Sequence, residues 1–204
     1  LAKNETITLP KGIAVFPALC RPDTKYHDLG TYKANTRVPL AEAEATIKKL
    51  QVVAKAWTGK AFPKAKNPLW EMEIDRETGE ETGFVIFKAS VKNRQGKEGK
   101  LWDRRPLLID SKKKKLPGET NPWGGTEYRV KAEIYCSEFG GKKSVSLQPT
   151  VVQIINLKSG QGVEEDLSDF DEEDGFEGST DPRLSDDDFD DDTGGDTSGA
   201  DEEY

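Results

Sequence analysis

Histidine is almost missing from this chain: His27 is the only one in 204 residues. Cysteine occurs twice, at Cys20 and Cys136, and never as a CxxC pair. A structural zinc site ordinarily takes four Cys or His ligands, so that chemistry is excluded. A Ser-His-Asp or Cys-His nucleophile would rest wholly on His27, which reads as an exposed loop residue. The two cysteines fall on expected strands and read as buried, reduced thiols rather than a disulfide or redox pair. No run of about 18 apolar residues is present, so no membrane-spanning helix is expected. The first residues, LAKNETITLPKG, have neither the apolar stretch nor the cleavage site of a signal peptide, and the protein is expected to stay inside the cell that makes it.

Charge is abundant and unevenly placed. Between positions 164 and 204 there are 20 Asp and Glu and a single base, Arg183, a net charge of about −19. The chain before that segment holds the remaining 18 acids and 29 bases, a net of +11. A sequence pI near 4.9 therefore conceals a basic body, whose expected partner is a polyanion. In the acidic segment Leu167, Phe170, Phe176, Leu184, Phe189 and Tyr204 stand isolated among Asp, Glu, Gly and Ser, too few to offset the entropy of ordering the chain. The expectation is a folded domain over 1–163 followed by a disordered acidic tail over 164–204. Its densest cluster, SDDDFDDD, lacks the glycine and the fixed spacing of a calcium loop.

Periodicity supplies the elements. From Leu40 to Trp57 the apolar residues Leu40, Ala43, Ile47, Leu50, Ala54 and Trp57 recur at spacings of three and four, which predicts an amphipathic helix. Pro39 before it and Gly59 after it match helix start and stop chemistry. In FVIFKASVK, alternation assigns Val85, Phe87, Ala89 and Val91 to the core and leaves Phe84, Ile86, Lys88, Ser90 and Lys92 outside. In TEYRVKAEIYC it points Tyr128, Val130, Ala132, Ile134 and Cys136 inward. GIAVFPALC reads as a strand interrupted at Pro17, TYKANTRV as a second strand and KLWDRRPLLID as another short one. IDRETGEETG and SEFGGKK read as hairpin turns, the latter leading to SVSLQPTVVQIINL, a closing strand bent at Pro149. Five or six strands and one helix predict a mainly β, OB-fold-like, partly closed antiparallel barrel.

The candidate site combines cations with rings. Lys64, Lys66, Lys88, Arg104, Arg105, Lys112, Lys113, Lys114, Lys115, Arg129, Lys131, Lys142 and Lys143 sit on strand faces and loops. A nucleic-acid backbone carries one charge per phosphate and releases condensed counterions when cations neutralise it. Trp70, Phe84, Trp102, Trp123, Tyr135 and Phe139 lie near those charges in sequence, and a planar ring stacks on any unpaired base. Against such a groove the acidic tail reads as a tethered mimic of nucleic acid, a polyanion studded with aromatics.

In this order ALCRPDTKYHDLGTYKANTRVP, the helix, FKASVKNRQGKEGK, LLIDSKKKKLP, WGGTEYRVKAEIY, VSLQPTVVQIINL and an acidic tail ending in an aromatic resemble the single-stranded DNA-binding proteins of T7-like phages. The resemblance implies an OB-fold, a homodimer, binding of unpaired DNA and promotion of strand annealing. It also implies recruitment of the replicative polymerase and the helicase-primase by the tail, in the cytoplasm of an infected bacterium. Carried onto this chain, the DNA-touching strand falls on Phe84 and Lys88, with Phe84 and Ile86 where the family pattern has lysines. The aromatic before the last hairpin falls on Tyr135 or Phe139. The partner-docking end of the tail falls on Phe189, Asp201, Glu202, Glu203 and Tyr204, with Tyr204 where the pattern has Phe. No cofactor, metal or catalytic residue is expected. Two other classes compete: an acidic-tailed chaperone for basic proteins, disfavoured by the basic body, and a metal-dependent nuclease, which would need paired acids inside strands that these strands do not offer.

Overall fold

A computed structural model of the chain describes residues 5–60, 62 and 66–159. The strands are β1 (Thr6–Thr8), β2 (Gly12–Ala14), β3 (Ala18–Asp23), β4 (Thr31–Lys33) and β5 (Thr36–Pro39). After the helix α1 (Leu40–Thr58) come β6 (Trp70–Ile74), β7 (Glu81–Phe87), β8 (Ser90–Lys92), β9 (Arg94–Gln95), β10 (Leu101–Trp102) and β11 (Leu107–Ile109). Two long strands, β12 (Glu127–Phe139) and β13 (Lys142–Asn156), complete the domain. The main sheet runs β11-β13-β12-β2-β5-β7-β6, with β1 added to β12. A smaller sheet, β3-β4-β8, and the β9–β10 ribbon stand beside it.

The mainly β, one-helix architecture follows the sequence pattern in outline. β7 and β8 are one segment kinked at Lys88 and Ala89, so its first half pairs with β5 and its second half with β4. The kink carries Ala89 to an isolated parallel bridge with Leu147 of β13. That bridge is the one point at which the sheet curls back towards its other edge among the described residues, and it makes the barrel partly closed. All ladders of the main sheet are antiparallel except β11–β13, which is parallel, a departure from the all-antiparallel expectation.

Two stretches read as single strands divide between sheets. GIAVFPALC breaks after Ala14 because Phe16 takes a positive φ of 45° before Pro17, and β2 and β3 then join different sheets. TYKANTRV likewise splits into β4 and β5, with the Ala34 amide between them donating to the Ala89 carbonyl. The helix was legible to its ends. Ala43, Leu50 and Ala54 are buried, and Leu40, Ile47 and Trp57 pack against the same core. Gly59 takes the left-handed conformation that closes the last turn, its amide donating to Lys55 at 2.9 Å.

The core is filled by Trp70, Tyr128, Phe87, Leu50 and Ile134, by Val85 of β7 and Val91 of β8, and by Ala89 at the kink between them. The Tyr128 hydroxyl donates to the Asn35 carbonyl at 2.7 Å, which satisfies the polar end of a buried ring, and burial pushes its pKa upward. Cys20 and Cys136 are free and half-buried, less enclosed than expected. His27 is half-buried rather than exposed. No helix among the described residues is long and apolar enough to cross a membrane.

Candidate nucleic-acid interface

β12 and β13 form an antiparallel hairpin whose outer face carries Arg129, Lys131, Glu133, Tyr135 and Phe139 on one strand, opposite Gln153, Val151, Gln148, Ser146 and Lys142 on the other. At about 3.3 Å per residue, the row from Arg129 to Tyr135 is roughly 20 Å long. The turn is made by Gly140 and Gly141, both at positive φ, where a side chain would be strained. Phe139 at the tip is 91% exposed. The hairpin arm is tied to the end of α1: the Trp57 indole donates to the Ser137 carbonyl at 3.3 Å, and the Lys143 ammonium lies 4.9 Å from the Trp57 ring centre.

Beside this face stands the β9–β10 ribbon, in which Arg94 and Trp102 are cross-strand partners. The Arg94 guanidinium lies 5.9 Å from the Tyr135 ring centre, and that of Arg104 lies 5.5 Å from the ring of Trp102, which is 57% exposed. Rings and cations therefore alternate: Tyr135, Arg94, Trp102, Arg104. Arg104 is fixed by donating to the Gln148 side-chain oxygen at 2.6 Å, and its backbone amide donates to Asn93. Burial first, and the positive charge of Arg94 next, lower the Arg104 pKa below the ordinary guanidinium value. Beneath the ribbon the buried Tyr32 hydroxyl is pushed up to about 12, by burial and then by its hydrogen bond with Asp103.

The remaining basic positions fall into distinct surroundings. Lys112 to Lys115 are exposed on a tight turn organised by Asp110, whose carboxylate accepts from the Lys112 and Lys114 amides at 2.8 Å. Gln153, opposite Arg129, donates to the Ser111 carbonyl of that turn at 3.1 Å, which sets the four lysines beside the Arg129 and Lys131 row. Lys142 and Lys143 are exposed on the arm. Arg105 instead donates to the carbonyls of Leu19 and Gly118, and so holds loops together.

The strand singled out by resemblance lies on a different, charge-paired face. Phe84 is half-buried under Arg37, 3.5 Å from guanidinium to ring centre, and Arg37 forms two 2.8 Å bonds to Glu73. Lys88 pairs with Glu71 at 2.6 Å, and the backbone of Lys66 forms an isolated antiparallel β-bridge with the same residue. Trp70 is 1% exposed: it fills the core and offers no ring to a ligand, because β6 turns that side chain inward as it leaves the Asn67 turn. Lys64, Phe189, Asp201, Glu202, Glu203 and Tyr204 lie outside the described residues. Arg94 was not among the expected site residues, and Trp102 only among the rings. Strands of two residues are too short for alternation to show which way a side chain faces.

No family profile and no curated protein sequence matches this chain. Solved structures do. The gp2.5 single-stranded DNA-binding protein of bacteriophage T7 is similar at 21% identity and a TM-score of 0.60, over 87% of this chain and 100% of that one. The single-stranded DNA-binding protein of bacteriophage Enc34 in complex with single-stranded DNA is similar at 14% identity and a TM-score of 0.54, over 77% of this chain and 89% of that one. A C-terminally truncated form of the Enc34 protein gives a TM-score of 0.55 at 13% identity, over 76% and 87%. The fold is that of phage single-stranded DNA-binding proteins.

Proposed function

Given that fold, we propose that this protein coats single-stranded DNA in phage replication, without sequence preference and without catalysis. The observation that carries the reading is the alternating row formed by Tyr135 on the outer face of the β12–β13 hairpin and by Arg94, Trp102 and Arg104 of the ribbon segment beside it. Cations fix the phosphates, rings stack the bases, and neither reads base edges, so binding is general for unpaired strands. The basic strip of Arg129, Lys131 and the Lys112 to Lys115 turn extends the path. The likeness to proteins that bind single-stranded DNA supports the same reading.

Strand annealing, a homodimer, and recruitment of the replicative polymerase and helicase-primase by residues 164–204 in an infected bacterial cytoplasm belong to the proposal. They rest on the family resemblance and on the opposed charges of tail and body. The discriminating experiment is a titration of the full chain with single-stranded and duplex DNA of equal length across a range of salt. Tighter binding of the single strand is expected, with a log-log salt slope near −0.7 per phosphate neutralised. Equal affinity for duplex overturns the reading.

A further inference from the structure

Between the small sheet, the β9–β10 ribbon and β13 lies a cleft of about 290 Å³. Lys92, Arg94 and Arg104 line it. None of the three has a carboxylate within ion-pair distance among the described residues, whereas Lys11, Lys33, Arg37, Lys49 and Lys88 all do; the charge of Glu133 acts on Arg104 from farther off and offsets the neighbouring Arg94 only in part. Arg94 and Arg104 each face two ways, towards a ring on one side, Tyr135 or Trp102, and into this cleft. The remaining wall offers neutral donors: the hydroxyls of Ser90 and Ser146, and the side-chain amide of Gln148, whose oxygen is already taken by Arg104.

His27 completes the wall. Its Nδ1 is shut off from solvent and has no hydrogen-bond partner. Nδ1 is unpartnered in either neutral tautomer; with the hydrogen on Nε2 the orphan is an acceptor rather than a donor, the rarer defect being avoided. In that tautomer the ring has one donor, Nε2–H, to offer a ligand of the cleft it lines.

We infer that this cleft seats the phosphodiester joining two nucleotides whose bases stack on Tyr135 and Trp102, with Lys92, Arg94, Arg104 and His27 as its ligands. The inference rests on the single-stranded DNA reading and adds to it a defined phosphate position. Three crowded cations gain an anion between them, and the two guanidinia that grip the phosphate also support the flanking rings. The seat and the stacking platforms are thus parts of one device. The preceding loop presents a donor that no charge count would single out.

Because His27 is the sole histidine, the imidazole signals of the full chain in a heteronuclear NMR spectrum belong to it alone. The probe is a short oligothymidylate, with and without a 5′-phosphate, while tryptophan fluorescence independently reports binding. The Nε2–H signal is expected to shift with both oligonucleotides, in step with the fluorescence change. His27→Ala should weaken binding roughly two- to tenfold, the range for one lost neutral donor. Arg104→Gln should make the salt slope shallower by about 0.7. Thermal melting of each variant establishes that it is folded, and Lys92→Gln repeats the slope test away from the Gln148 contact. Unmoved imidazole signals at saturating fluorescence overturn the seat and leave the binding reading standing. A shift with the 5′-phosphorylated oligonucleotide only also overturns it, since the cleft would then take strand ends. Absence of any fluorescence-detected binding overturns the single-stranded DNA reading itself.

Discussion

Aromatic side chains that look alike in the sequence have opposite roles in the fold, and substitution separates them. Tyr135→Ala should weaken single-stranded DNA binding by about 1–3 kcal/mol at every salt concentration, because stacking releases few counterions. Its melting temperature should change little, since the ring lies on the outer face of β12. Trp70→Ala should instead cost about 3–5 kcal/mol of stability, measured by urea unfolding, because it empties a fully buried site. Sequence proximity to lysines could not distinguish the two rings. Tyr135 sits in a run long enough for alternation to turn it outward, whereas Trp70 follows a proline-rich loop where no period is set. The charge-paired face gives a prediction in pH. Arg37 first, and Thr82 after it, hold the Glu73 carboxyl below its ordinary value of 4.5. A lowered folded-state pKa means stabilisation present above that ordinary value and lost as pH falls through the folded value. Thermal midpoints of the wild type and Glu73→Gln should therefore differ near neutral pH and converge in acid.

Elements with a long period were legible, and short strands whose partners are set at a distance were not. The α1 stripe and the alternation of β7, β8 and β12 each run over several repeats, so their core residues, Leu50, Val85 and Val130 among them, are legible in the sequence. β4, β5, β9 and β10 have two to four residues each, and their partners are set by distant bridges that leave no mark in local composition. The basic turn was visible as four consecutive lysines, but its place beside Arg129 depends on the contact of Gln153 with Ser111. Changing Lys112 to Lys115 into glutamine should make the salt slope shallower by up to about 0.7 per residue, without changing the melting temperature. The arm makes a separate test. Trp57→Phe keeps the ring against the core and removes the indole donor to Ser137. Amide exchange over residues 138–143 should quicken, and DNA affinity should fall about twofold.

Across the whole molecule, a body of net +11 is joined to a segment of net charge about −19. If residues 164–204 act as the tethered mimic of nucleic acid that their charge suggests, deleting them should tighten single-stranded DNA binding, most at low salt, because a competing polyanion held at high effective concentration is removed. Unchanged affinity at low salt would leave the segment a solubilising one. The salt dependence of the intact chain should be the shallower of the two. The bridge from Ala89 to Leu147 has a mechanical consequence. In the proposed seat, a strand held by Lys92 and Arg94 on one side and by Tyr135 and Arg104 on the other would span this backbone bridge, the one by which the sheet curls back among the described residues. Such a ligand would act as a suture across a seam, so that seam opening and DNA release are coupled by linkage. Saturation with DNA should slow amide exchange at Leu147 and Ala89 more than along the β5–β7 ladder, and any change that loosens the seam should shorten the residence of DNA on the protein.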